Sequence, residues 1–155
     1  MKSVMLSIQP KWCKKIADRN KTIEIRKTRP KIDVPFKCYI YCTKGNLPND
    51  ILRVVCCEDG GYVVNGTVIG EFVCDELEDF QEFEYDYPAL LRHINLRAST
   101  NGDYLFLNDY LKGEKKGYSW NISDLKIYDK PKKLNEFGLN RPPQSWCYVE
   151  SEGKE

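Results

Sequence analysis

The stretch Arg19-Asn20-Lys21-Thr22-Ile23-Glu24-Ile25-Arg26 decides how the first part of this chain folds. Its two isoleucines alternate with polar residues, which is the pattern of a half-buried strand. We expect Ile23 and Ile25 to point into a core. Thr22, Glu24 and Arg26 then share the opposite face. A carboxylate between two cations stays ionised and can hold a polar ring or a phosphate by charge-assisted hydrogen bonds. The stretch therefore predicts a strand that carries a charged recognition patch.

The residues before this strand predict another strand and a helix. Residues 4–8 form an apolar run that suits a buried strand, and Pro10 suits the first turn of a helix. From Pro10 to Asp18, Trp12 and Ile16 lie on one side of the helix and lysines lie on the other. The chain is therefore expected to begin with a strand, an amphipathic helix and a second strand.

Further patterns predict strands later in the chain. Residues 37–43 read as a buried strand, and Asn65-Gly66 between two apolar runs favours a hairpin with a type I′ turn. Residues 118–128 alternate as a strand but slip in phase at Ser123-Asp124, which predicts a bulge or a bend. A last strand is expected at residues 145–149, after a proline-containing loop. The number of short strands favours a mixed barrel.

The spacing Lys21-x-x-Glu24-x-Arg26 resembles the signature Gly-x-Lys-x-x-Glu-x-Arg of the ASCH domains, a branch of the PUA-like superfamily. Arg19 stands where that family usually has glycine, the residue that best tolerates unusual backbone conformations. The closing part of the chain, residues 118–150, is also similar to bacterial and phage members of the family. The resemblance implies an α+β fold: a small PUA-like (ASCH) mixed β-barrel of about six strands with flanking helices and a helical insertion.

Length and composition predict one globular domain. The chain has 155 residues, of which 41% are hydrophobic and 30% are charged. We interpret residues 1–150 as a single domain, residues 75–117 as the helical insertion and residues 151–155 as a frayed tail. The sequence shows no apolar run that suits a membrane span or a signal peptide, so we expect a cytoplasmic protein that does not bind membranes.

The seven cysteines do not indicate a disulfide framework or a metal centre. Their number is odd, no Cys-x-x-Cys pair occurs, and His93 is the only histidine. A structural zinc site needs four convergent ligands at recognisable spacing. We therefore expect buried reduced thiols, no metal and no cofactor.

Charge is distributed unevenly along the chain, although the net charge is only +1. Residues 1–37 contain eleven Lys or Arg against three acidic residues, whereas residues 71–86 contain eight acidic residues and no base. This asymmetry indicates either an electropositive face that binds a polyanion or the solvated faces of an ordinary soluble protein. Charge alone leaves both interpretations open.

The resemblance implies a cleft beside the Lys-x-x-Glu-x-Arg strand that binds RNA or a nucleotide-like small molecule. Trp12 is a candidate for stacking on a base, and its helical spacing equally suits a core residue. The predicted ligand-binding residues are Lys21, Glu24, Arg26, Ser7, Gln9, Lys11 and Trp12.

Two alternative functions remain. One ASCH branch consists of small amidohydrolases that remove the acetyl group from N4-acetylcytidine, using a lysine, a threonine and a distal glutamate. By that resemblance Lys21 and Glu71 would be catalytic, while Glu24 occupies the place of the threonine. Binding without turnover is favoured, because a carboxylate does not replace an activated hydroxyl. The second alternative is a regulatory interaction module whose acidic residues 71–86 bind a basic partner protein.

Overall fold

A computed structural model describes residues 2–45, 53–54, 62–81 and 116–150. Within these residues, no helix has the length and apolar character needed to cross a bilayer. In chain order the elements are β1 (Lys2–Ile8), α1 (Pro10–Ala17), β2 (Ile23–Arg26), β3 (Phe36–Cys42), β4 (Arg53–Val54), β5 (Tyr62–Val63), β6 (Thr67–Gln81), β7 (Lys116–Lys132), a 3₁₀-helix (Leu134–Phe137) and β8 (Trp146–Glu150).

Six of these strands form one sheet in the order β2-β7-β6-β3-β1-β8, and β4 pairs with β5 separately. β1 and β3 are parallel, and the other neighbours in the large sheet are antiparallel. A parallel pair needs a crossover connection, and α1 and β2 lie within that connection. The predicted opening of strand, helix and strand is therefore confirmed.

The predicted barrel is not closed by strand pairing. β2 and β8 are the two edges of the sheet, and no ladder joins them in the part of the chain described above. Side chains bridge these edges instead: Arg26 Nη1 donates to the Ser145 hydroxyl at 3.0 Å, and Trp146 Nε1 donates to the Thr28 hydroxyl at 2.9 Å. After Arg26 the chain continues as an irregular segment containing Pro30, which has no N–H to extend a ladder.

The sheet carries a hydrophobic cluster on each face. Cys38 and Ile40 of β3 belong to the larger cluster, whereas Tyr39 and Tyr41 belong to the smaller one with Phe137 of the 3₁₀-helix. This division follows from the alternation of side chains along a strand. Because both faces are covered, β1 and β3 are almost continuously buried.

The bulge predicted at Ser123-Asp124 is confirmed. Glu71 pairs with Lys126 and Val73 pairs with Ser123, so β7 advances three residues while β6 advances two. Asp124 has a φ of +49°, a conformation that Asp tolerates better than most residues. The extra residue bends β7 without ending it.

The hairpin predicted around Asn65-Gly66 is wrong in its pairing. A turn does form there, with Gly66 at a φ of +84°. However, β5 before the turn pairs with β4, and β6 after it pairs with β3 and β7. The Gly66 N–H donates to the Cys42 carbonyl at 2.7 Å, so the turn is fastened to the end of β3 and the two flanking strands enter different sheets.

The predicted helical insertion begins as strand rather than helix. β6 continues to Gln81 and pairs with β7, which starts at Lys116. Residues 82–115 and the predicted frayed tail at 151–155 lie outside the described residues. The helical assignment therefore remains a prediction for that part of the insertion.

Arg19 has a left-handed backbone, with a φ of +66°, just after α1. Its N–H donates to the Ile16 carbonyl at 3.0 Å, and the Asn20 N–H donates to the Lys15 carbonyl at 2.9 Å. Left-handed residues commonly end helices in this way, and glycine is the usual residue there. The glycine of the ASCH signature thus has a conformational explanation at this position.

Arg19→Gly is expected to be more stable than Arg19→Ala by about 1 kcal/mol in free energy of unfolding, because a β-carbon strains the left-handed backbone. Urea denaturation of both variants measures the difference. Alanine is the matched control, since it removes the guanidinium and keeps the β-carbon. Equal stability of the two variants would show that the backbone at this position carries no such strain.

Candidate functional site

β2 places Glu24 and Arg26 on the same face as the larger hydrophobic cluster. Antiparallel pairing sets Glu24 opposite Trp120 and Arg26 opposite Tyr118, and directly paired side chains share a face. Trp120 lies within the larger cluster and Tyr118 packs against it. The sequence predicted that the isoleucines would be buried, and Ile23 and Ile25 are 1% and 5% exposed. It also predicted that Glu24 and Arg26 would face away from the core. That second part was wrong, because all four residues of β2 are buried.

Arg26 holds the Glu24 carboxylate by hydrogen bonds and connects β2 to the other edge of the sheet. Its Nε and Nη2 atoms lie 2.9 and 2.8 Å from Glu24 Oε2. Nη2 also donates to the Ser7 carbonyl at 2.9 Å, and Nη1 donates to the Ser145 carbonyl at 3.3 Å and hydroxyl at 3.0 Å. All three guanidinium nitrogens therefore have partners within the protein.

The second carboxylate oxygen of Glu24 is differently placed. Oε1 is buried, has no hydrogen-bond partner among the described residues, and lies 3.6 Å from Lys21 Nζ. Glu24 is 6% exposed and Lys21 is 8% exposed. Buried polar atoms nearly always have a partner, and an unsatisfied one costs about 1–3 kcal/mol. This oxygen is therefore a ready acceptor for a hydrogen-bond donor that enters from outside.

Such a donor has a space to enter, because Lys21 and Glu24 line a cavity of ≈ 280 Å³. Its walls come from the end of β1, the start of α1, β2, the residue after β3 and the segment before β8. The lining residues are Ser7, Ile8, Gln9, Trp12, Lys21, Glu24, Ile25, Arg26, Thr43 and Gln144.

All the predicted ligand-binding residues except Lys11 line this one cavity. Lys11 is exposed and lies beside the cavity wall, with its Nζ 4.8 Å from the centre of the Trp12 ring. Sequence reasoning missed Thr43 and Gln144. Neither belongs to the signature, and the pairing of β1 with β3 and β8 brings them to the cavity.

Trp12 packs in the hydrophobic core and also forms part of the cavity wall. It is 6% exposed and belongs to the larger cluster, yet it also lines the cavity. The ammonium groups of Lys11, Lys21 and Lys15 lie 4.8, 5.5 and 6.0 Å from its ring centre. Ammonium groups at these distances are attracted to the indole face, so they concentrate positive charge beside the cavity.

The structure does not bring Glu71 to this cavity. Glu71 pairs across the sheet with Tyr39, which belongs to the smaller cluster, whereas Glu24 faces the larger one. Its carboxylate accepts a hydrogen bond from Tyr128 at 2.7 Å and lies 3.1 Å from Lys37 Nζ. The two glutamates therefore form no carboxylate pair, and Glu71 does not share a site with Lys21.

The Glu71 carboxylate is held in its charged form by these neighbours. Burial raises the pKa of Glu71, but the hydrogen bonds from Tyr128 and Lys37 and the charges of Lys37 and Lys126 outweigh it, so the pKa lies below its usual value. A lowered pKa in the folded state stabilises the fold above the unfolded pKa of about 4.3, and this contribution is lost as the pH falls through the folded value.

Glu71→Gln is expected to lower the free energy of unfolding at pH 7, and the difference from the parent is expected to shrink at pH 3. Urea denaturation at both pH values tests this. Tyr128→Phe removes one of the hydrogen bonds to the Glu71 carboxylate. The free energy of unfolding of this variant should therefore depend less on pH than that of the parent. A difference that stays constant between pH 7 and pH 3 would contradict the assigned role of the carboxylate.

Within the residues that the structure describes, no group of three or more His, Cys, Asp or Glu side chains is arranged to hold a metal ion. Cys13, Cys38, Cys42 and Cys74 are free and buried, as predicted for them. Burial raises the pKa of Cys74 to about 12. His93 lies outside the described residues.

Arg26→Met is expected to destabilise the fold by about 3–5 kcal/mol, because it leaves the Glu24 carboxylate buried without its main partner. Chemical denaturation measures the loss. Glu24→Gln/Arg26→Met is the matched control, since it removes both charges, and it should be more stable than Arg26→Met alone. A double variant less stable than the single one would contradict the dependence of Glu24 on Arg26.

Comparison with known proteins bears on the fold. No family model matches the chain, and no curated protein matches it. The crystal structure of the ASCH protein from Zymomonas mobilis is similar, with a TM-score of 0.65 and 19% identity, covering 97% of this chain and 89% of that one. A Tyr-to-Phe variant of the same protein gives a TM-score of 0.66 and 17% identity, covering 97% and 91%. The resemblance predicted from Lys21, Glu24 and Arg26 is thus confirmed at the level of the fold: this chain has the fold of the Zymomonas mobilis ASCH protein.

Proposed function

We propose that this chain binds an unpaired nucleobase, in RNA or in a nucleotide-like ligand, in the cavity beside β2. The observation that carries the proposal is the buried Oε1 of Glu24, which has no hydrogen-bond partner among the described residues and lies 3.6 Å from Lys21 Nζ. The edge of a nucleobase presents hydrogen-bond donors and acceptors side by side. Glu24 supplies an acceptor for such an edge and Lys21 supplies a donor.

The remaining cavity residues have supporting roles in this proposal. Arg26 positions the Glu24 carboxylate, since its own nitrogens are engaged within the protein. Trp12 supplies an apolar wall next to the polar pair. Ser7 donates its hydroxyl proton to the Pro143 carbonyl at 2.7 Å, which holds the segment before β8 against β1. Gln9 lines the cavity and offers both a donor and an acceptor.

The geometry favours an unpaired base over a base in a duplex. A paired base has its Watson–Crick edge occupied, whereas an unpaired base presents that edge to a protein site. Glu24 and Lys21 are almost completely buried, so only a group that enters the cavity reaches them. A base turned out of a single strand meets this requirement.

The amidohydrolase alternative receives less support. Lys21 lies in the cavity, but Glu71 lies with the smaller cluster on the opposite face of the sheet, and Glu24 replaces the threonine of that branch. The interaction-module alternative also lacks a specific observation in its favour. In the acidic segment, Glu71 bonds Tyr128, and Asp75 accepts a hydrogen bond from Asn121 at 2.8 Å. These contacts favour a structural role for both carboxylates.

Calorimetric titration with nucleosides tests the proposed contact to Glu24. Cytidine and adenosine are expected to bind more tightly than N4,N4-dimethylcytidine and N6,N6-dimethyladenosine, which lack the amino donor. We expect at least about a fivefold difference, since leaving a buried acceptor unsatisfied costs about 1–3 kcal/mol. Glu24→Gln should abolish this discrimination, and its circular dichroism spectrum checks that the fold is kept.

Lys130→Gln is the matched control for this titration, because Lys130 is exposed on β7 and does not line the cavity. It should keep the preference for the amino-bearing nucleosides. Equal affinity of the parent protein for each nucleoside and its dimethylated counterpart would overturn the role of Glu24. Absence of binding to all nucleosides and to single-stranded RNA would overturn the proposed function itself.

A further inference from the structure

A second depression of ≈ 490 Å³ lies immediately after β2. We call it the cationic groove, because exposed Lys and Arg side chains dominate its lining and Asp33 is its one acidic lining residue within the described part of the chain. Its lining residues are Lys27, Thr28, Arg29, Pro30, Lys31, Ile32, Asp33 and Tyr118. Three cations against one carboxylate give the groove an excess of positive charge.

The backbone of the cationic groove is held in place by the opposite edge of the sheet. Thr28 accepts a hydrogen bond from Trp146 Nε1 at 2.9 Å, and the Lys31 N–H donates to the Tyr148 hydroxyl at 2.7 Å. Within the segment, the Arg29 guanidinium donates to the Pro30 carbonyl at 3.2 Å. The cationic side chains thus project from a fixed backbone, which reduces the conformational entropy that a ligand must remove.

The cationic groove adjoins the cavity along the chain. Arg26 lines the cavity and Lys27, the next residue, lines the groove, so their Cα atoms are about 3.8 Å apart. Tyr118 lines the groove and pairs with Arg26 across β2 and β7. The end of β2 is therefore the route along which a ligand would pass from the cavity to Lys27 and its neighbours.

We propose that the cationic groove binds the phosphates next to the base held in the cavity, so that the ligand is a single-stranded polynucleotide rather than a free nucleoside. This inference rests on the proposed function and extends it. Lysine and arginine on a fixed backbone neutralise phosphates without reading sequence, and the cavity supplies the contact with the base. Tyr118 adds an aromatic surface at the groove, and aromatic side chains stack on successive bases of single strands.

The test compares a short single-stranded RNA, the DNA of the same sequence and the corresponding nucleoside across a salt series. For the parent protein, oligonucleotide affinity should fall with salt and nucleoside affinity should not. The slope of log affinity against log salt concentration should become less steep by about 1.4 in Lys27→Gln/Lys31→Gln, at about 0.7 for each lost phosphate contact. Oligonucleotide affinity should fall on the order of tenfold at 0.1 M salt, and nucleoside affinity should stay unchanged.

Lys126→Gln/Lys130→Gln is the matched control, since both lysines are exposed on β7 outside the cationic groove. It removes the same charge and should leave the salt dependence unchanged. Equal losses of oligonucleotide affinity in the groove variant and the control would show that net charge alone matters, and would overturn the inference. Tighter binding of RNA than DNA would identify the ribose as an added contact, and equal binding would assign the affinity to the shared phosphodiester.

The design separates the two proposals. If Glu24→Gln weakens the nucleoside and the oligonucleotide while Lys27→Gln/Lys31→Gln weakens neither, the proposed function stands and the groove does not bind phosphate. If the oligonucleotide binds and neither variant changes its affinity, both proposals fail. Binding of an acidic peptide by the groove, with no binding of oligonucleotide, would replace the polynucleotide with a protein partner and also overturn the inference.

Discussion

The buried guanidinium of Arg26 makes the contacts on which the sheet and the cavity both depend. It reaches Glu24 on its own strand, the Ser7 carbonyl on β1 and Ser145 just before β8. Removing charges from water is costly, and the cost is offset only where the geometry satisfies each charged group. Arg26 meets that condition through all its nitrogens. It thereby bridges the two edges of an open sheet and orients the carboxylate that faces the cavity.

This arrangement explains why a structural contact and a binding contact share one residue, Glu24. One carboxylate oxygen, Oε2, is committed to Arg26, and the other, Oε1, faces the cavity near Lys21 without a hydrogen-bond partner among the described residues. A rigid acceptor that needs no reorganisation lowers the entropic cost of binding. In our proposal the cavity selects a base by its donor, while the cationic groove holds the adjoining phosphates. Specific contacts and sequence-independent contacts would then come from two successive parts of the chain.

Glu71 shows where reasoning from a family resemblance reaches its limit. The resemblance assigned it to one site with Lys21, but β6 pairs with β3 in a register that sets Glu71 opposite Tyr39, on the face of the smaller cluster. A shift of one residue along a strand reverses the face of every side chain. The register between distant strands depends on tertiary pairing and on bulges. For the same reason Asn65-Gly66 predicted a turn correctly and its strand partners incorrectly.

Local features of this protein were predictable from its sequence alone: α1 beginning at Pro10, the short β2 and the bulge near Asp124. These features depend on neighbours in the chain, through side-chain periodicity and backbone preference. Three features emerged only in the tertiary structure: the charged face of β2 is buried, strand pairing leaves the sheet open, and Thr43 and Gln144 join the cavity. Those features depend on contacts between residues far apart in the chain, and their geometry is set only when the strands pair and the two faces of the sheet are covered.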